Sequence, residues 1–198
     1  RTSGQVVDHF FNMAANNTMG WRRISPSGVV GDTLTPTTRT VQFTPVAFYF
    51  QASRVGGSMH QSHPFLSGGG IVPDGWGAVW QADADAPHAV LVRLGRSDTI
   101  ARSALELPRV PVSPVEREEV IARIRRSLAA YTSHNFKPAR IPATKPPIER
   151  LVVDAQSRLW IQHTARFGDT TITFDVHDRA GKHLGRVQLP RRVKTYVA

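Results

Sequence analysis

His60 and His63 are the residues whose type and spacing could most directly support chemistry. They lie three positions apart within residues 55–70, a Gly-, Ser- and His-rich stretch predicted as a loop between β-sheets. Two imidazoles at this spacing can bind zinc or copper when a third ligand comes from elsewhere in the chain. A histidine pair in such a loop is also commonly just solvated. His60 and His63 are therefore candidate metal ligands, with solvent exposure as the alternative.

A second group of ionisable side chains, Asp175, His177 and Asp178, lies close together in the sequence. These residues could form a calcium site or an acid–base pair. Strand alternation places Asp175 and His177 on one face and Asp178 in the following turn, which disfavours a single cluster. No nucleophile elbow, phosphate-binding loop or His-Glu-x-x-His string occurs. The sequence therefore predicts no catalytic residue and no bound cofactor.

The composition limits the remaining possibilities. The chain has 198 residues, 40% of them hydrophobic, which is enough for one domain with a buried core. Its lack of cysteine excludes disulfides and thiolate metal sites. The net charge of +10 is not arranged as a stripe interleaved with aromatic residues, so nucleic-acid binding is not expected. No apolar run approaches the roughly 20 residues of a membrane-spanning helix.

Short strands joined by tight turns recur along the chain. Residues 150–190 have the pattern of four such strands, and residues 71–110 carry a degenerate copy of it. Four antiparallel strands per unit is the pattern of one blade of a β-propeller. We therefore predict an all-β fold with about three four-stranded antiparallel sheets. The aligned segments are Val79-Trp80-Gln81 with Leu159-Trp160-Ile161, and Ile71-Val72-Pro73-Asp74 with Val152-Val153-Asp154-Ala155.

Residues that repeat between the two units are expected to be structural. Trp80 and Trp160 occupy equivalent positions, which favours packing between neighbouring sheets over ligand binding. Asp74 and Asp154 each follow a strand, where an aspartate side chain commonly caps a turn. Function is then expected where the repeat is interrupted.

One helix, residues 113–131, interrupts the repeat. Ser113 is a suitable N-cap, Pro114 suits the first helical position, and Glu116 can close a capping box. Apolar residues then recur at helical spacing on one face. These are Val120, Ile121, Ile124, Leu128 and Tyr131.

The whole chain is predicted to be a single propeller-like domain. Four prolines within residues 132–149 predict an extended strap that returns from the helix to the next sheet. The predicted segments are an irregular blade at 1–54, the loop at 55–70, a blade at 71–110, the helix at 113–131, the strap at 132–149 and a blade at 150–190.

Two strings carry a resemblance to a known family. They are Arg150-Leu-Val-Val-Asp-Ala-Gln-Ser-Arg-Leu-Trp-Ile161 and Phe174-Asp-Val-His-Asp-Arg-Ala-Gly-Lys-His-Leu-Gly-Arg-Val-Gln-Leu-Pro190. Together with the strap at Ile141-Pro142, they resemble bacterial six-bladed β-propeller proteins of the NHL-like kind. Ser157 stands where that pattern has a turn glycine, so this turn is expected to be of another type.

The resemblance implies a fold more than a function. It implies a non-enzymatic binding or scaffold domain that presents rim loops to a protein, a glycan or a small ligand. The alternative is a calcium-dependent hydrolase or lactonase, because some six-bladed propellers hold calcium in the central channel. A periplasmic, secreted or surface-anchored location is also implied. Since propellers need about four or more blades of roughly 40 residues, the chain is expected to be a C-terminal part of a longer propeller or an open fragment with an exposed sheet edge.

Overall fold

The computed structural model describes residues 6–12, 18–24, 27, 29–34, 47–51, 58–62, 64–65, 69–74, 77–83, 88–93, 99–131 and 133–191. These residues form mostly strands with a single α-helix, so the predicted all-β class with one inserted helix is confirmed. The strands are β1 Val6–Asn12, β2 Thr18–Ile24, β3 Val30–Leu34, β4 Ala47–Gln51, β5 Ser58–Ser62, β6 Gly69–Pro73, β7 Ala78–Asp83, β8 His88–Arg93, β9 Thr99–Ala104, β10 Val110–Pro111, β11 Ser133–His134, β12 Thr144–Lys145, β13 Ile148–Val153, β14 Leu159–His163, β15 Thr171–His177 and β16 His183–Pro190. The helix α1 spans Pro114–Leu128.

The segment predicted as a Gly/His loop contains a strand. β5 pairs antiparallel with β4, and His60 lies opposite Tyr49 in that register. The prediction of a loop over residues 58–62 was therefore wrong. Backbone pairing with the apolar, aromatic-rich β4 overrides the weak strand propensity of the glycines and serines around it. His63 lies outside the described residues.

Two four-stranded sheets form the best-defined part of the fold. Their strand orders are β6-β7-β8-β9 and β13-β14-β15-β16, each antiparallel between neighbours in sequence. Three further sheets of the described residues have the orders β1-β2-β3, β11-β4-β5 and β10-β12. Within the segment predicted as an irregular blade, β2 pairs antiparallel with both β1 and β3.

The two four-stranded sheets pack face to face through an apolar core. Trp80 and Leu91 project from the first sheet, and Leu159 and Ile161 from the second, and all four are fully buried in one cluster. Trp160 is equivalent to Trp80, because each tryptophan pairs with a valine of the first strand, Val72 or Val152, in its own sheet. Strand alternation nevertheless puts Trp160 on the opposite face from Leu159. The face of the first sheet that carries Trp80 therefore packs against the face of the second sheet that lies opposite Trp160. This is a head-to-tail arrangement of the two sheets.

An aspartate turn occurs three times and begins at Asp74, Asp154 and Asp178. In each turn the aspartate N–H donates to the carbonyl of the residue four positions later, whose N–H donates back to the aspartate Oδ1 at 2.9 or 3.0 Å. The predicted capping role of Asp74 and Asp154 is confirmed. The sequence alignment of the first strands placed Asp74 opposite Ala155, which was wrong by one residue. In the structure Asp74 corresponds to Asp154, and the two aspartates are separated by the same number of residues as Trp80 and Trp160.

Ser157 does not change the type of its turn. Its φ is 59°, in the left-handed region that Gly77 and Gly181 occupy at the same position of the other two turns. The expectation of a different turn was therefore wrong. The Ser157 side chain, in return, donates a hydrogen bond of 3.2 Å to the Asp74 carbonyl on the neighbouring sheet. Left-handed backbone costs free energy at a non-glycine residue. At Ser157 it occurs together with a hydrogen bond between the two sheets.

The helix begins where the sequence predicts and ends earlier. Ser113 Oγ accepts the Glu116 N–H, which confirms the N-cap, and Val120, Ile124 and Leu128 are buried. Helix α1 ends at Leu128, three residues before the predicted end at Tyr131. The Glu116 carboxylate does not complete a capping box with Ser113. Its Oε1 accepts a bond of 2.9 Å from Lys145, which is a stronger, charge-assisted partner.

The strap is held against the helix by polar contacts. Arg117 donates to the carbonyls of Pro138 and Ile141, at 2.9 and 3.0 Å. The strap is not extended throughout, because Pro138–Arg140 form a short 3-10 helix. Its extended part includes β12, which pairs with β10. Within the described residues, no helix is long and apolar enough to cross a membrane.

Candidate functional site

Ionisable and hydroxyl side chains form a polar seam beside the apolar core, where the two four-stranded sheets meet. Strand β9 contributes one member, and strands β14, β15 and β16 contribute the rest. The members of this polar seam are Ser103, His163, Asp175, His177, His183 and Arg186.

Ser103 and His177 connect the two sheets within the polar seam. Ser103 Oγ and His177 Nδ1 share a hydrogen bond of 2.6 Å, and their exposed fractions are 0% and 2%. His177 Nε2 is buried, and no described residue forms a hydrogen bond with it. Burial lowers the pKa of His177, and the nearby His183 lowers it further, whereas the Gly181 carbonyl, Asp175 and Asp178 act in the opposite direction. Both side chains are almost fully buried, so this hydrogen bond joins the two sheets inside the protein.

Asp175 is the charge centre of the polar seam. Its Oδ1 accepts from Arg186 Nε at 2.8 Å, and its Oδ2 accepts from His163 Nε2 at 2.8 Å and from Arg186 at 3.2 Å. Burial acts to raise the pKa of Asp175, but the hydrogen bonds from Arg186 and His163 outweigh it and hold the pKa of this carboxyl below its ordinary value. Asp175 is therefore ionised at neutral pH, and both of its oxygens are occupied.

Lowering the pH should weaken the contact between the sheets. Because the pKa of His177 is lowered from 6.5 in the folded protein, the unfolded chain binds this proton more tightly. The contribution of neutral His177 to stability is complete above pH 6.5 and is lost as the pH falls through the folded-state pKa. Urea unfolding at a series of pH values should show this loss, and His177→Asn should reduce it. The same substitution at exposed His134 should leave the pH dependence unchanged, and a His177→Asn variant with the full dependence would contradict the assignment.

A cleft of about 240 Å³ lies at the His163 end of the polar seam. It is lined by residues 107–111, which precede the helix, and by residues of β14, β15 and the loop between them. The strap adds one residue. The lining residues are Leu107, Pro108, Arg109, Val110, Pro111, Pro147, His163, Thr164, Ala165, Arg166, Asp169, Thr171 and Thr173. His163 thus belongs to both features: it lines the cleft, and Asp175 orients its ring.

The charged groups of the cleft are held by local hydrogen bonds. Arg109 donates to Thr144 Oγ1 at 3.2 Å, across the strands β10 and β12. Asp169 Oδ2 accepts the Arg166 backbone N–H at 2.8 Å, which fixes the turn of the β14–β15 loop. The nearby Lys145 Nζ donates to the Ala165 carbonyl at 2.7 Å and so ties the same loop to the strap and the helix. The cleft therefore has two arginines and one aspartate on a well-connected frame.

The structure separates the residues predicted from sequence as sites. Asp175 and His177 share the inward face of β15 and Asp178 lies in the following turn, as strand alternation predicts. His60 lies on β5, and nothing is described of its side chain, so the predicted pair with His63 stays a prediction. Among the described residues, no group of three or more His, Asp or Glu side chains is placed to hold a metal ion.

Sequence reasoning missed Ser103, His163, Arg109 and Arg166. Ser103 lies 74 positions from His177, and no motif links them. The cleft gives one signal in the sequence, because it forms where the repeat is interrupted by the segment before the helix and by the strap. That signal indicates the region but not the individual residues.

The fold and the site define an all-β protein with one inserted helix, whose two four-stranded sheets meet at a polar seam that opens into a small cleft. No protein-family model matches the chain, and no match was found among curated proteins or solved structures.

Proposed function

We propose that this chain is a non-enzymatic binding or scaffold domain built from propeller-type sheets, which binds a ligand at one rim. The observation that carries this proposal is the cleft beside His163. It lies where the non-repeating segments meet the repeated sheets, and binding residues commonly lie in loops held by a rigid scaffold.

Three features support propeller-type sheets. The two four-stranded sheets pack head to tail, with the tryptophan face of one against the opposite face of the next. Their first strands, β6 and β13, contact each other more extensively than any other described pair of strands from the two sheets. The aspartate turns match between the sheets at one constant offset. Head-to-tail packing of equivalent sheets is what a radial repeat requires.

The size of the cleft favours a small ligand over a protein or a glycan chain. Pockets for drug-sized molecules have volumes of roughly 300–1,000 Å³. The cleft, at about 240 Å³, is somewhat smaller. A compact metabolite with a few polar groups fits this volume, and the threonine hydroxyls and the arginines of the cleft can hydrogen-bond to such groups.

Filling the cleft should abolish ligand binding. Thr171 lines the cleft at an exposed position of β15, so Thr171→Trp should be tolerated by the strand and should occupy part of the volume. A thermal-shift screen of small metabolites against the wild-type chain should find ligands that raise the melting temperature, and Thr171→Trp should lose these shifts.

Thr170→Trp is the matched control for this experiment. Thr170 is an exposed neighbour that does not line the cleft, so this variant should keep the wild-type shifts. If Thr171→Trp keeps every shift, or if no small molecule shifts the wild type, the cleft is not the binding site and the proposal fails. A melting temperature that falls on adding a chelator would favour the calcium-dependent alternative.

A further inference from the structure

We infer that the cleft binds a small hydroxyl-bearing molecule, and that one hydroxyl of this ligand donates a hydrogen bond to His163 Nδ1. This inference rests on the proposed binding function and specifies its ligand. Among the residues of the polar seam, His163 alone lines the cleft. The polar seam therefore holds in place a ring that belongs to the cleft.

Asp175 determines which nitrogen of His163 can accept a hydrogen bond. His163 Nε2 lies 2.8 Å from Asp175 Oδ2, and Asp175 is ionised at neutral pH. An ionised carboxylate can only accept hydrogen bonds, so His163 Nε2 must carry the proton that it donates. In the neutral ring the other nitrogen, Nδ1, then has a free lone pair and acts as an acceptor.

His163 Nδ1 is open to a ligand. The His163 side chain is 19% exposed, and within the described part of the chain its Nδ1 forms no hydrogen bond. Nδ1 is also absent from the described side-chain atoms that are buried without a hydrogen-bond partner, whereas His177 Nε2 is one of these atoms. The unpaired nitrogen of His177 thus lies inside the protein, and that of His163 is accessible on a residue that lines the cleft.

The strand register places two threonine hydroxyls on the same face of the sheet as His163. Ile161 lies opposite Asp175 in the pairing of β14 with β15, so these two residues share a face. Strand alternation adds His163 of β14 to that face, and Thr171 and Thr173 of β15. Both threonines line the cleft, and each hydroxyl can donate or accept a hydrogen bond. Because His163 Nδ1 can only accept, this set suits a ligand with hydroxyl groups better than one without donors.

NMR of the full chain with nitrogen-labelled histidines tests this inference at about pH 8, above the range in which imidazoles ordinarily titrate. The probes are glucose, ethylene glycol and the dimethyl ether of ethylene glycol, which keeps the two oxygens of the diol but has no O–H donor. His163 should show the Nε2–H tautomer, and glucose or the diol should shift its Nδ1 resonance in a saturable manner. The diether should not shift it. An Nδ1–H tautomer or a doubly protonated ring would overturn the inference.

His163→Gln separates the acceptor from the structural contact. A glutamine amide can still donate to Asp175, but the acceptor at the position of Nδ1 is removed. This variant should weaken the binding of glucose or ethylene glycol about five- to tenfold, since one hydrogen bond to the ligand is lost. His183→Gln is the matched control, because His183 also lies beside Asp175 but does not line the cleft. Its affinity for the same probes should stay within about twofold of the wild type.

The outcomes separate this inference from the proposed function. If the metabolite screen finds ligands that Thr171→Trp abolishes but His163→Gln leaves unchanged, the cleft is a binding site and the hydroxyl assignment is wrong. Equal weakening by His163→Gln and His183→Gln, or equal shifts from the diol and its diether, would also contradict the assignment. If no probe shifts His163 Nδ1 while the screen finds a Thr171→Trp-sensitive ligand, this inference fails alone. If the screen finds no such ligand either, both proposals fail.

Discussion

Gly181→Ala is expected to destabilise the protein by about 3 kcal/mol or more. Gly181 has a φ of +86° in the β15–β16 turn, and this turn lies against β9 of the other four-stranded sheet. An added Cβ would lie 2.6 Å from the Arg102 carbonyl carbon and closer still to its oxygen. Because those atoms belong to a paired strand, they cannot yield as a flexible side chain could. The substitution must therefore push the two sheets apart or distort the turn.

Gly168→Ala provides a control for the backbone conformation alone. Gly168 has a φ of +88°, nearly the same as Gly181, but a Cβ there would have no atom within 4 Å. This variant should lose only the conformational cost of a left-handed alanine, about 1–2 kcal/mol. Chemical denaturation of both variants measures the difference between them. Equal losses would mean that the β15–β16 turn does not approach Arg102 as closely as described.

Trp80→Ala is expected to cost about 3–5 kcal/mol of unfolding free energy. The Trp80 side chain is 0% exposed and packs in the core between the sheets, close to Leu91, Leu159 and Ile161. Its removal leaves a large cavity lined by two paired sheets, which have little freedom to collapse. The loss should appear in urea unfolding as a lower midpoint with an unchanged slope.

Trp160→Ala should cost less, although Trp160 occupies the equivalent strand position. Trp160 is only partly buried and lies on the other face of its sheet, where it contacts the Phe174 ring edge-on with centroids 5.9 Å apart. Its Nε1 donates to Asp154 Oδ2 at 2.9 Å, so the variant also removes a hydrogen bond from the second aspartate turn. We expect a loss of about 2 kcal/mol. A loss for Trp160→Ala as large as that for Trp80→Ala would contradict the described packing.

The elements of this protein were largely predictable because they depend on local patterns. The N-cap at Ser113 and the buried stripe at Val120, Ile124 and Leu128 follow from helical spacing. The two four-stranded sheets follow from short apolar segments separated by turn residues. The strand β5, Ser58-Met-His-Gln-Ser62, was missed because its mostly polar residues have no strand pattern of their own and its structure comes from pairing with β4.

The candidate site was much less predictable. The repeated tryptophans and aspartates were correctly interpreted as structural at Trp80, Asp74 and Asp154. The cleft, however, brings together residues from before the helix, from the strap and from β14 and β15. These segments are distant in sequence, so their side chains meet only in the folded chain. No local sequence pattern predicts that these distant residues come together.

The sequence by itself determined the class of the fold, the place of the helix and the turns that begin with aspartate, since alternation, capping and turn chemistry act over a few neighbouring residues. Only the tertiary structure decided that Ser157 keeps a glycine-like turn and bonds to Asp74, that Ser103 meets His177, and that Arg109 and Arg166 line one cleft. The Ser157–Asp74 and Ser103–His177 contacts join residues 83 and 74 positions apart, and they form only when the two sheets pack against each other.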